Sequence, residues 1–168
     1  MKKILLSITI LASFLLQTKA QDSTNQLKNS TKMNRIERTE KTYKELFGQD
    51  ITASKTDPEL MNILQRFIFG EVFYAGNLDI KTRELITITT LTVNQMLPQL
   101  KAHTNAALNV GVKPVEIRES VYQLAPFIGF PKVLNALDTI NSVFESRGIP
   151  LPLQNEGKVK EDERLEKG

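Results

Sequence analysis

An all-α, single-domain bundle of about six helices is the fold class that this sequence predicts, and three observations carry the prediction. Apolar residues between Asn34 and Leu153 recur at helical spacing almost throughout. No run alternates apolar and polar residues between hairpin turns. Asp, Pro and Gly punctuate the chain where helices start and stop. Asn34 to Phe47 reads as a first amphipathic helix, stopped by Gly48. Asp57-Pro58-Glu59 opens a second, with Asp57 as N-cap and Pro58 at the first helical position. That helix carries Leu60, Ile63, Leu64, Phe67 and Ile68 and ends at Gly70. Asp79 can cap a third, whose Leu85, Ile86, Ile88, Thr89, Leu91, Thr92 and Val93 make it apolar on most sides, as suits the middle of a core. Pro98 restarts the chain, Ala102, Ala106, Ala107 and Leu108 continue it with room for close helix contact, and Gly111 offers a left-handed C-cap. Pro114-Val115-Glu116-Ile117 starts a fifth helix, expected to run through Val121 and Leu124 until Pro126 and Gly129 break it. Pro131 opens a last long helix to Arg147, closed by Gly148. Ile149-Pro150-Leu151-Pro152-Leu153 should then lie extended and bury its leucines on a neighbouring surface.

The ends read differently from this body. Met1-Lys2-Lys3 is a positive start, Ile4 to Leu16 is apolar apart from Ser and Thr, and Thr18-Lys19-Ala20 ends on a small residue. This is the pattern of an export signal over residues 1–20, cleaved after Ala20. A retained anchor is the other reading, but an apolar run of about 13 residues is short for roughly 30 Å of hydrocarbon. The expected product is an exported protein, periplasmic or secreted, with no stable membrane insertion after cleavage. Residues 21–32 form a polar flexible leader, 33–153 the folded domain and 154–168 a charged, solvated tail.

With 40% hydrophobic and 24% charged residues, the composition is that of a soluble globular protein and excludes wholesale disorder and a polytopic membrane protein. The formal charge of +3 suggests a nucleic-acid partner only until it is located. Lys2, Lys3 and Lys19 leave with the signal, and 19 basic residues then face 19 acidic ones. No electrostatic case for nucleic acid remains. The absence of cysteine excludes disulfides, thiolate metal sites and thiol redox cycles, and one histidine, His103, cannot build a histidine-rich metal centre.

Two places concentrate chemistry. Arg83-Glu84 stands at the start of the apolar third helix, where an inward charge must be paired or used; the alternative is an exposed first turn in which Glu84 meets the helix dipole. Gln99 and His103 lie one turn apart on one face of the fourth helix, with Lys101 and Asn105 near them. His103 is the one side chain whose ordinary titration range suits proton transfer near neutrality, though a lone histidine also serves as a helix cap or core edge. No phosphate loop, nucleophile elbow or nucleotide fingerprint is present.

The segments Lys81-Thr82-Arg83-Glu84-Leu85-Ile86-Thr87-Ile88, Gln99 to Val112, Glu116-Ile117-Arg118-Glu119, Phe127-Ile128-Gly129-Phe130-Pro131-Lys132 and Ser146 to Pro152 occur in an order and spacing that resembles the carboxymuconolactone decarboxylase family. That family belongs to the wider superfamily of alkylhydroperoxidase D-like proteins. The thiol-dependent branch uses a Glu, two cysteines and a His, and the corresponding positions here are Glu84, Met96, Gln99 and His103. The acid and the histidine remain and both sulfurs are gone, which argues against peroxidase activity. Resemblance to the decarboxylase branch implies an all-helical fold, no cofactor, a small-molecule substrate, and a homo-oligomer, trimeric or hexameric. Phe127 departs from the pattern, standing where relatives often carry a tyrosine. The expected reaction is decarboxylation of a small carboxylated lactone or related acid. In that scheme Arg83 binds a carboxylate, His103 supplies a proton or stabilises an enolate, Glu84 orients or recharges His103, and Gln99 bonds the lactone oxygen. A non-catalytic helical oligomer that binds a small ligand is the alternative of a different class, and cysteine-free oxidoreduction with a bound cofactor is a third. Self-association also has a physical argument, because the helix over 85–93, the 149–153 arm and the clusters Phe67-Ile68-Phe69 and Val72-Phe73-Tyr74 offer more apolar surface than a small body hides.

Overall fold

The computed structural model describes residues 33–154 and Glu163. The segments expected to be an export signal and a leader lie outside the described residues, as does the expected tail apart from Gln154 and Glu163. Among the described residues there are seven α-helices and no strand: α1 (Arg35–Phe47), α2 (Pro58–Gly70), α3 (Ile80–Val93), α4 (Leu97–Asn109), α5 (Pro114–Tyr122), the single turn α6 (Ala125–Ile128) and α7 (Phe130–Ser146), with a 3₁₀ turn at Val72–Tyr74. The all-α expectation holds, and six of these helices have nine residues or more. None of them is long and apolar enough to cross a membrane.

Local chemistry explains most boundaries. Asn34 caps α1 reciprocally with Glu37: its Oδ1 accepts from the amides of Ile36 and Glu37 at 2.9 and 3.0 Å, and Glu37 Oε2 accepts from the Asn34 amide at 3.0 Å. Pro58, Pro98, Pro114, Pro126 and Pro131 all stand in the first two positions of helices, where the missing N–H costs nothing. Three expectations need correction. Asp57 occupies the N-cap of α2 without a side-chain bond to it; Ser54 Oγ instead accepts from the Asp57 amide at 3.1 Å. The fifth helix stops at Tyr122, and Pro126 opens α6 rather than breaking a longer helix, since proline is well suited to a first turn. Leu151 in the C-terminal arm is 37% exposed, while Ile149 and Leu153 pack on the core; the chain bends at Leu151 and Pro152, so residues two apart no longer share one face as they would in a straight extended segment.

The described residues form two compact units. The first comprises residues 33–44 and 49–77. Here Gly70 permits a close helix contact: a Cβ at this position would stand 2.7 Å from the Arg35 carbonyl oxygen and would also strike the Thr39 hydroxyl. Tyr43 meets Phe69 edge to face at 5.6 Å, and Arg38 lies over the Tyr74 ring at 4.9 Å. The opposite face of α2 carries Leu60, Ile63 and Phe67, which are 62%, 58% and 54% exposed, whereas Gln65 is buried.

The second unit holds Glu45–Gly48 and everything from Leu78 onward. Its core joins Ile88 of α3, Leu100 and Ala107 of α4, Ile117 and Val121 of α5, and Val133, Ala136, Ile140 and Phe144 of α7. Fully burying each large side chain contributes about 1.5–3 kcal/mol. The buried alanines of α4 allow its neighbours to approach closely. The α3–α4 corner is pinned at Gln95, a non-glycine residue at φ +56°. Its amide nitrogen donates to the Thr92 and Lys132 carbonyls at 2.7 and 3.0 Å, and its oxygen accepts from Asn135 at 3.1 Å. Those bonds tie the corner to the first turns of α7 and offset the strain of a left-handed backbone.

Candidate functional site

Helix α3 presents Glu84, Ile88 and Thr92 to the core, four residues apart, and all three are fully buried. Its phase is set at Asp79. The Asp79 carboxylate accepts from the amides of Lys81 and Thr82, both at 3.0 Å, and from the Thr82 hydroxyl at 2.7 Å. The Thr82 hydroxyl, followed by the Thr82 amide, holds the Asp79 carboxyl below its ordinary range. With the helix starting at Ile80, Glu84 falls in the second turn and points inward. This overturns the exposed-first-turn alternative for Glu84: by that position the dipole effect of the helix start has faded.

What makes a buried carboxyl tolerable is the partner brought by α4. His103 Nδ1 lies 2.9 Å from Glu84 Oε2, and the histidine side chain keeps 19% of its surface exposed. A carboxylate accepts only, so opposite one Nδ1 is the donor and Nε2 is left as the nitrogen for proton exchange. Glu84 Oε1 is buried with no hydrogen-bond partner. Removing one member of such a pair costs about 3–5 kcal/mol, because the other is left buried and uncompensated. The last turn of α1 completes the surroundings. Phe47 sets its ring edge-on to the His103 ring at 5.7 Å, and the Leu46 carbonyl accepts from Asn109 Nδ2 at 2.7 Å. Arg147, at the end of α7, holds α4 in turn by donating to Asn105 Oδ1 and Asn109 Oδ1, both at 2.7 Å.

The other residues expected at the site sit differently. Arg83 is half-buried and donates through Nε to the Leu78 carbonyl at 3.1 Å, at the entrance of its own helix. Gln99 and Lys101 are exposed on α4, and Gln99 stands one turn before His103. Met96 and Phe127 are 49% and 76% exposed. Sequence reasoning missed Phe47 as a neighbour of His103, and Asn109 and Arg147 as braces of the helix that carries it. No local pattern marks them, since each acts across a long stretch of chain; Asn105 alone had drawn attention, by its nearness to His103. No group of three or more His, Cys, Asp and Glu side chains suited to a metal occurs among the described residues.

The class these features define is a cysteine-free helical bundle that buries a glutamate–histidine pair between two consecutive helices. The model of the carboxymuconolactone decarboxylase family matches residues 58–141, half of the chain and including both members of the pair, and the chain belongs to that family. An uncharacterised 15.0 kDa protein from the nqo9-nqo10 intergenic region of Paracoccus denitrificans is 40% identical over 78 residues, 45% of this chain and 58% of that protein. A 4-carboxymuconolactone decarboxylase of Acinetobacter baylyi is 31% identical over 91 residues, 54% of this chain and 68% of the relative. A nitrosuccinic acid decarboxylase of Metarhizium robertsii is 31% identical over 87 residues, 49% of this chain and 61% of the relative. The chain thus spans 58–68% of the length of these relatives.

Proposed function

We propose that this protein carries out cofactor-free decarboxylation, or the proton transfer that completes it, on a small carboxylated lactone or related acid. The observation that supports this reading is the 2.9 Å contact between Glu84 and His103. When carbon dioxide leaves, an electron pair stays on carbon and needs a neighbouring group to spread into. The names of two relatives specify a carboxylated lactone and a nitro acid. A conjugated carbonyl or a nitro group can take up that charge, so the protein has to clamp an anion and return a proton. His103, oriented by Glu84, is suited to give the proton through Nε2. Arg83 is the nearest cation in sequence to Glu84 and serves as the carboxylate clamp. Gln99, one turn from His103 on the same face, bonds the lactone oxygen.

The test follows lactone absorbance with 4-carboxymuconolactone, the full chain and its His103→Ala variant. The parent should turn over, and the variant should be slower by about 10²–10⁴-fold. Equal rates would remove His103 from the mechanism. Glu84→Gln, which keeps a hydrogen-bonding group beside the imidazole, should retain folding while losing most of the rate.

The proposal extends to export and self-association. Export is supported by the 1–20 segment and is tested by cell fractionation; recovery of the uncleaved chain in the cytoplasm would refute it. A homo-oligomer is supported by the exposed apolar stripe of α2 and by Phe127, Phe130 and Leu134, which are 76%, 71% and 55% exposed. Sedimentation as a monomer at micromolar concentration would refute that. The Phe47 ring lying against His103 favours a second reading, in which the pair is a packing device of a non-catalytic ligand-binding oligomer. Absence of turnover on small carboxylated acids, with folding intact, would select it.

A further inference from the structure

The first unit contains a cleft built only from its own residues, with no member in common with the glutamate–histidine pair. Its volume is about 130 Å³. A cavity of roughly 150 Å³ holds benzene, so this one suits a molecule of about six non-hydrogen atoms. The lining is mostly polar and carries both signs of charge, Glu40 from α1 and Arg66 from α2. Among the described residues neither of these side chains forms an ion pair, with the other or with any other charge. Opposite charges that share a cleft without closing on each other leave room for a ligand to bridge them.

Gln65 adds an independent observation. It is only 6% exposed and lines the cleft, and its amide has no hydrogen-bond partner among the described residues. The amide atoms themselves are not sealed from solvent, so their two donors and one acceptor are open to water or a ligand in the cleft. Asn62, one turn before Arg66 on the same face, supplies a further amide at the rim. Ile36 and Ile51 provide the apolar wall.

We propose that this cleft binds a small zwitterionic α-amino acid of about alanine size, its carboxylate on Arg66, its ammonium on Glu40, its polar backbone met by Gln65 and its side chain against Ile36 and Ile51. The charge pattern excludes simpler ligands. A lone carboxylate would face the Glu40 anion, and a lone amine would face the Arg66 cation. Guanidinium suits the carboxylate because its planar fork can give two parallel hydrogen bonds. A ligand of this size binds with Kd on the order of millimolar.

The experiment titrates the ¹⁵N-labelled full chain with L-alanine and follows backbone amide resonances. Saturable shifts should concentrate on α1, α2 and the segment around Ile51. Arg66→Gln and Glu40→Gln, at exposed positions that leave the fold intact, should each weaken binding by about tenfold or more. Acetate and methylamine, each offering half of the zwitterion, should not saturate the same resonances. Gln99→Ala, a change at an exposed position of the proposed decarboxylation site, should titrate like the parent, which separates this cleft from that site. No shift with L-alanine, shifts indifferent to the Arg66 and Glu40 variants, acetate binding as tightly as L-alanine, or loss of binding in Gln99→Ala would each overturn the proposal.

Discussion

Helices α2 and α3 are nearly the same length and each buries a polar side chain, yet they solve the problem differently. In α3 the buried carboxyl of Glu84 meets His103, delivered from α4 at 2.9 Å. In α2 the largely buried side chain of Gln65 has an amide that meets no protein group among the described residues and keeps access to solvent in a cleft. The apolar residues differ as well. Those of α3 include the fully buried Ile88, whereas Leu60, Ile63 and Phe67 of α2 face outward. A buried polar group is tolerated when a partner is supplied or when space remains for one, and a helical apolar stripe marks a surface to be covered without saying by what.

The largest effect that can break this comparison is loss of the partner in α3. His103→Ala should destabilise the fold by about 3–5 kcal/mol, because the Glu84 carboxyl is left buried and unpaired. Gln65→Leu, which strips no partner of its own, should change stability by well under that, about 1 kcal/mol either way. Urea denaturation of both variants decides the matter, and equal losses would dissolve the distinction. Next in size is Gly70→Ala in the α1–α2 contact. A Cβ there meets the Arg35 carbonyl, and forcing the helices apart should cost about 1–3 kcal/mol, read as a lowered denaturation midpoint.

Smaller again is the cap that sets the phase of α3. Asp79→Ala should cost about 1 kcal/mol. The folded-state carboxyl titrates below its ordinary range, so its contribution is complete above that range and is lost as the pH falls through the lowered value. The variant should therefore show a flatter acid limb in stability against pH, and an unchanged limb would rule out the cap as its source. Smallest in fold stability is replacement of Leu60 and Phe67 by serine, within about 0.5 kcal/mol for exposed sites of an isolated chain. The same pair of changes should nevertheless dissociate the proposed oligomer in sedimentation, since it removes apolar surface from that stripe.

Much of the helical outline was legible because its signals are local. Proline at the start of α2, α4, α5 and α7, Asp79 before α3, and glycines with positive φ at 48, 111 and 148 each act within a few residues of where they stand. The signals misled where two local readings competed, as at Pro126, since a proline can mark the end of one helix or the first turn of the next and here does the second. They were silent about Gln65, because nothing in a helix sequence tells which side receives the next element. For the site, Glu84 and His103 were visible as residue types and through family resemblance. Their contact was not, nor was the role of Phe47, whose ring reaches His103 from far away in the chain.

By itself the sequence determined the helical class, the placing of most helix ends, the absence of thiol chemistry, and the family to which the chain belongs. These follow from backbone dihedral preferences, from composition and from a local order of residues. The tertiary structure alone decided that Glu84 turns inward onto His103, that Arg147 and Asn109 brace the helix carrying it, and that Glu40 and Arg66 share a cleft without pairing. The physical reason is range. Capping and periodicity act over one or two turns, while pairing and burial depend on which distant segments the packed chain brings within a few ångströms.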